Sequence, residues 1–140
     1  MTLRPERIVI HHSASDDTHT YNWVQLRHYH VEVKGWRDIG YHWGVEKVDR
    51  VYRVHMGRLP TETGAHVRGK NTTSIGVCLV GNFSRTRPPA ELLKYAAKFV
   101  SWLSLVEGDL PVVGHNELAS TECPGKYFDM SRFRDMVRAQ

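Results

Sequence analysis

The sequence predicts a single α/β domain with a mixed central β-sheet packed by helices, and three observations carry that prediction. Apolar runs of strand length recur along the chain as "RIVIHH", "SIGVCLVG" and "LPVVGH". The segments between and after them repeat apolar residues at helical spacing. Two alternating runs around residues 48–50 read as a hairpin. Strands interleaved with helices, without internal repeats or a linker of domain size, make one layered α/β unit.

Taken in order, residues 7–12 form a buried strand, because "IVI" is a continuous apolar run between polar flanks. Residues 22–33 read as a helix, with Trp23, Leu26, Tyr29 or His30, and Val33 at helical spacing. Aspartates and threonines at 16–20 offer N-caps, and Gly35 offers a stop. "IGYHWGVEK" and "VYRVHMG" alternate like paired strands, and residues 74–80 form a third strand ended by Gly81-Asn82. From 89 to 107 a long helix sets Leu92, Ala96, Phe99, Leu103 and Val106 on one face. A short strand in "LPVVGH" and an amphipathic helix over 130–138 close the chain.

At 140 residues the chain can bury a core without staples. Its hydrophobic fraction of 41% and charged fraction of 24% are those of a soluble globular protein. No run nears the roughly 18 apolar residues of a membrane span. "MTLRPERIVI" lacks the long apolar region of a signal peptide, so the chain is expected to start in the cytoplasm. The formal charge of +4 suits an anionic partner. The basic residues are scattered, though, and no nucleic-acid motif is present, so a nucleic-acid partner is not expected. Cys78 lies in an apolar run and Cys123 in a polar loop, settings that predict two free thiols rather than a disulfide.

Nine histidines make chance pairings easy, so position matters more than number. His11 and His115 each follow directly on an apolar strand, where α/β sheets place ligand and catalytic groups. Cys123 lies eight residues beyond His115, far enough for a loop to double back. Two imidazoles and a thiolate would give zinc three protein ligands and leave a fourth position open, as in a catalytic site. On spacing alone, two surface histidines and an idle thiol are an equal reading.

The segments "IVIHHSAS", "GWRDIGYHWGVEK", "GAHVRGKNTTSIGVCLVGNF" and "GHNELASTECPGKYFD" span residues 8 to 129. Together, and in this order, they resemble the type 2 N-acetylmuramoyl-L-alanine amidase family, which includes phage endolysins and animal peptidoglycan recognition proteins. The resemblance implies a mixed sheet packed by helices, a zinc-dependent amidase, and His11, His115 and Cys123 as metal ligands. It also settles the choice within His11-His12: neighbouring strand residues face opposite sides, so only one can reach a metal, and the family pattern assigns the first. The other ring nitrogen of a ligating histidine needs a partner, which the sequence does not reveal.

By the same resemblance Tyr41 is the active-site tyrosine, a protonated phenol able to donate to a water or an oxyanion. Thr121 stands two residues before Cys123, where many phage members carry lysine and amidase-active recognition proteins carry threonine; it is expected to assist as a neutral donor. His66 and Asn71, in "GAHVRGKN", resemble a substrate-cleft segment, with His66 donating to the scissile carbonyl or the stem peptide. An exposed loop histidine is nearly as good a reading of His66. Trp36 is either an aromatic wall of the cleft or a core plug. Glu117 and Glu122 are expected only to solvate their loop.

The reading that follows is a zinc amidase cutting the bond between the muramoyl group and L-alanine in peptidoglycan. Small size, no export signal and no attached wall-binding domain suggest a monomeric phage endolysin waiting in the host cytoplasm for a separate pore. Two rivals are a cytosolic muropeptide-recycling amidase, whose third ligand is typically aspartate, and a non-catalytic peptidoglycan-binding module. Cys123 counts against the first; the intact His11, His115, Cys123 and Tyr41 set counts against the second.

Overall fold

A computed structural model describes residues 2–15 and 22–140; the N-caps expected at 16–20 lie outside them. Five strands form one sheet: β1 (Arg7–His12), β2 (Trp43–Val48), β3 (Val51–Met56), β4 (Ser74–Leu79) and β5 (Val112–Gly114). Their order is β3-β2-β4-β1-β5. β1 runs parallel to β4 and β5, β4 parallel to β2, and β3 antiparallel to β2, so the sheet is mixed. The β2–β3 turn holds Asp49 and Arg50 at φ of 50° and 68°, the left-handed pair of a two-residue hairpin made here without glycine.

The period of two along each strand sorts side chains onto two faces. Ile8, Ile10, Val45, Ile75, Val77 and Leu79 share the main core with α2 (Ala90–Val106) and α3 (Met130–Arg138). The α2 stripe holds at Leu92, Ala96 and Leu103, with Phe99 partly buried against Trp43. Val106, expected on that stripe, is 58% exposed because the helix ends there and the chain turns away through Gly108. Leu93, Ala97 and Val100 complete the buried face instead.

The opposite face carries Val9 and His11 on β1, Gly44 and Glu46 on β2, and Ser74, Gly76 and Cys78 on β4. It is covered by α1 (Trp23–His28), capped by Asn22, whose side chain accepts from the Gln25 N–H. Gly44 is required there: a Cβ would lie 2.3 Å from the Trp23 ring. The Trp23 N–H donates to the buried Glu46 carboxylate, which also takes His55 Nε2 at 2.9 Å. After His28 the helix widens into a π turn over Tyr29–Val33, shown by the Lys34 N–H reaching the Tyr29 carbonyl five residues back. The extra residue in the turn rotates later positions off the buried face. Of the two residues that helical spacing allowed on that face, His30 is the buried one and Tyr29 is 40% exposed, while Val33, also expected there, is 66% exposed.

Candidate active site

Parallel β1, β4 and β5 end on the same edge of the sheet, and the site is built there. His11 is the penultimate residue of β1 and is buried; His115 follows β5 in a single 3₁₀ turn, His115–Glu117. The loop beyond doubles back, with the Asn116 N–H donating to the Cys123 carbonyl, and delivers the Cys123 thiol to His11. Among the described residues, one His/Cys/Asp/Glu cluster could hold a metal: His11, His115 and Cys123, with ligand atoms within 4.8 Å of one another.

Three observations test whether a zinc ion suits these residues. The donor set of two imidazoles and a thiol matches zinc's preference for nitrogen and sulfur. His11 Nδ1 lies 3.6 Å from Cys123 Sγ; a nitrogen and a sulfur bound to one tetrahedral zinc lie about 3.6 Å apart, from their bond lengths. Among the described residues, His115 Nδ1 is the buried side-chain polar atom left without a hydrogen-bond partner. Such an orphan costs free energy unless a ligand satisfies it. The residues fit the ion.

Electrostatics agree. Burial, followed by neighbouring His66, His115 and His12, pushes His11 well below the ordinary histidine range, and burial lowers His115 as well. Neutral imidazoles are the form that binds metal. Burial pushes the Cys123 thiol up to about 12, opposed by the His12 N–H that donates to its sulfur. A bare thiol therefore keeps its proton, and a divalent cation is what would displace it.

His12 points to the helix face as strand alternation requires, accepting the Phe83 N–H on Nδ1 and lying against the Phe83 ring. Tyr41 stands over the site with its ring 5.0 Å from that of His11, packed against the cluster that contains the buried Cys78 on the sheet below. Cys78 is the register neighbour of His11, so it forms part of the site's floor. Strand composition marked it as a small hydrophobe; only the pairing of β1 with β4 shows what it sits beside. Both thiols are free, as expected.

Thr121 is exposed, and its hydroxyl accepts the Cys123 N–H at 3.3 Å, leaving its own proton free to donate. Trp36 is half-buried, its ring packed on His30 with Lys34 Nζ 4.8 Å above, and His30 in turn lies beside Tyr41. It lies outside both core clusters, joined to Tyr41 through the His30 ring. Asn71 turns inward: its Oδ1 accepts the His66 and Val67 N–H groups and shapes that loop.

His66 departs from the sequence expectation. Nδ1 lies 2.9 Å from His11 Nε2 and Nε2 lies 3.0 Å from the Ser74 carbonyl. Both ring nitrogens are committed inside the protein, so neither is left to donate to a substrate carbonyl. Glu117 also does more than solvate its loop. It accepts the Gly114 N–H at 2.8 Å and pairs with Arg134 at 2.6 Å, fixing the strand end from which His115 projects.

Comparison with known proteins decides the family. A model described as N-acetylmuramoyl-L-alanine amidase matches residues 1–126. The chain belongs to the N-acetylmuramoyl-L-alanine amidase family. The endolysin of Escherichia phage T7 is 33% identical over 134 residues, covering 91% of this chain and 84% of that protein. Among solved structures, the amidase LysC from Clostridium intestinale URNW superimposes with a TM-score of 0.85 at 23% identity over 97% of this chain and 87% of its own, a likeness of fold. The Ph2119 endolysin from a Thermus scotoductus bacteriophage gives 0.79 at 28% identity over 96% and 85%. This amidase is thus an enzyme of amide hydrolysis with a peptidoglycan-related function. No helix among its described residues is long and apolar enough to cross a membrane.

Proposed function

We propose that this amidase is a zinc-dependent phage endolysin that releases the stem peptide from peptidoglycan by hydrolysing the bond between N-acetylmuramoyl and L-alanine. The observation that carries the zinc assignment is the convergence of His11, His115 and Cys123 around an unpartnered, buried His115 Nδ1. When bound there, zinc supplies Lewis acidity to the scissile carbonyl and to the attacking water.

The chain's own groups do the rest. Tyr41, whose ring lies beside that of His11, donates from its phenol to the oxygen that gains charge as the tetrahedral centre forms. Thr121 adds a second neutral donor, with its oxygen already oriented by the Cys123 N–H. Trp36, continuous with Tyr41 through His30, lines the groove for the glycan or stem peptide, and Asn71 holds the loop that borders it. The enzyme works as a monomer. It is held in the host cytoplasm until a separate pore admits it to the wall.

The test is mass spectrometry of purified peptidoglycan after digestion. New free L-alanine amino groups, abolished by chelator and restored by zinc, are the expected result. New reducing sugar ends would mean glycoside hydrolysis, which needs a positioned pair of carboxyl groups. Binding without products would make the chain a recognition module.

A further inference from the structure

We propose that His66 is a positioning residue of the metal centre, which sets the tautomer of His11 so that Nδ1 faces Cys123 and His115. The proposal rests on the zinc reading of those three residues. Its starting point is an atom whose role is not negotiable: the Ser74 carbonyl oxygen can only accept, so His66 Nε2, 3.0 Å away, must be its N–H donor. In the neutral ring, Nδ1 then carries a lone pair and no proton. His11 Nε2, at 2.9 Å, must therefore donate to it. With its single proton on Nε2, His11 presents a bare Nδ1, and that is the atom 3.6 Å from Cys123 Sγ. A backbone carbonyl of β4 thus dictates, through two rings, which nitrogen is offered to the metal.

The His66 ring sits in a slot made for it. A Cβ on Gly76 would lie 2.8 Å from three of its ring atoms, and one on Gly64 would lie 2.7 Å from Cδ2. A larger residue at either position would expel the ring. Behind it stands His42, edge-on at 5.7 Å, itself pinned by the Gly76 N–H on Nδ1 and the Glu62 carbonyl on Nε2. The His66 backbone is tied by Asn71. Rotation of the ring, or exchange of its donor and acceptor edges, would break a hydrogen bond at each end. Partners of this kind on the distal nitrogen of a ligating histidine typically change metal affinity by about 10–100-fold.

Two measurements test it. In metal-free protein near pH 7.5, long-range proton–nitrogen NMR correlations of the imidazoles should show both His11 and His66 as Nε2–H tautomers. A proton on His11 Nδ1 would overturn the proposal. Zinc Kd, by competition with a chromophoric chelator, should rise about 10–100-fold in His66→Phe, which fills the slot but accepts nothing. His66→Asn, whose Oδ1 takes the place of the accepting Nδ1, should recover most of that loss. Folded His66→Phe with wild-type Kd would sink the positioning role. If His66→Phe does not fold, the Asn variant and the wild-type spectra still decide. Should the wild type itself bind no zinc while the tautomers are as expected, the zinc reading falls and the tautomer assignment stands.

Discussion

On β1, Ile8 and Ile10 point one way, Val9 and His11 the other, and the two sides of the sheet are filled by opposite kinds of residue. The side under α2 and α3 packs branched and aromatic side chains. The other side sets Ser74, Gly76, Cys78, Gly44 and Glu46 around His11. Large apolar residues fill space and maximise burial, whereas glycines open slots into which imidazole and indole rings fit at defined angles. The first face stabilises the fold; the second spends some of that stability on buried histidines and an orphaned Nδ1. Mutations on the two faces should therefore fail differently.

The sharpest contrast is between Cys123→Ala and Ile10→Ala. Loss of the thiol should remove bound zinc and all measurable amidase activity, while the melting temperature of chelator-treated protein barely moves. Ile10 is completely buried in the main core; its truncation should cost about 2–5 kcal/mol in denaturant unfolding. Zinc content, by elemental analysis, should stay stoichiometric in whatever remains folded. Equal loss of metal from both variants would show that the faces are not separable.

A second consequence is pH dependence originating on the site side. His30 is only 7% exposed, and its Nδ1 accepts the Gly40 N–H directly before Tyr41. Burial, then Lys34 and Arg58, lowers its pKa from 6.5 to about 4. Between those values the unfolded chain binds a proton that the folded chain refuses. Stability from this group is thus complete above about pH 6.5 and is lost as pH falls through about 4, by at most roughly 3 kcal/mol. His30→Asn keeps an acceptor for Gly40 and does not titrate. Its unfolding free energy should vary less between pH 6.5 and 4 than that of the wild type; parallel curves would remove His30 as a source.

The same contrast explains what could be read from residues alone. The apolar face was legible because burial writes itself as periodicity: β1, β4, α2 and α3 lie where the patterns place them. The candidate ligands were legible as two strand-end histidines and a loop cysteine within a motif set, and the structure brings the three together. The partners of those side chains were not. His66 lies 55 residues from His11 and eight from Ser74, and only the β1–β4 register joins them. Cys78 beneath Tyr41 is the same case, and the π turn that carries Val33 off the buried face has no periodic signature. Site geometry depends on long-range pairing, whereas patterns report local exposure.

Thr121 offers a smaller effect. Its hydroxyl is oriented by the Cys123 backbone but lies outside the proposed metal set. Removing one oxyanion donor elsewhere costs about 2.7–4 kcal/mol. With the proposed zinc taking up much of that charge, Thr121→Ala should lose about tenfold to a hundredfold in kcat with KM and zinc content unchanged. Thr121→Val should match it, and Thr121→Lys should retain activity. Parent rates in both the alanine and valine variants would make the threonine a spectator.

The smallest effect belongs to Glu117, which ties the two sides of the sheet together: its carboxylate joins the Gly114 N–H at the start of the His115 turn to Arg134 on α3. Arg134 lowers the carboxyl pKa, with the Gly114 N–H acting in the same direction. Its contribution is therefore present above the unfolded carboxylate value and is lost as pH falls through the lower folded value. The pair is partly solvated, at 28% and 40% side-chain exposure, so solvent screening holds the ion-pair energy to about 0.2–1 kcal/mol. Glu117→Gln keeps an oxygen for Gly114 and should lose only that amount, with zinc affinity unchanged. Glu117→Ala also frees the Gly114 N–H and loosens the turn that aims His115. It should therefore weaken zinc several-fold beyond the glutamine variant, measured by chelator competition at pH 7.5. Identical zinc affinities in the two variants would mean that His115 is held by the strand alone and that the link to α3 serves stability only.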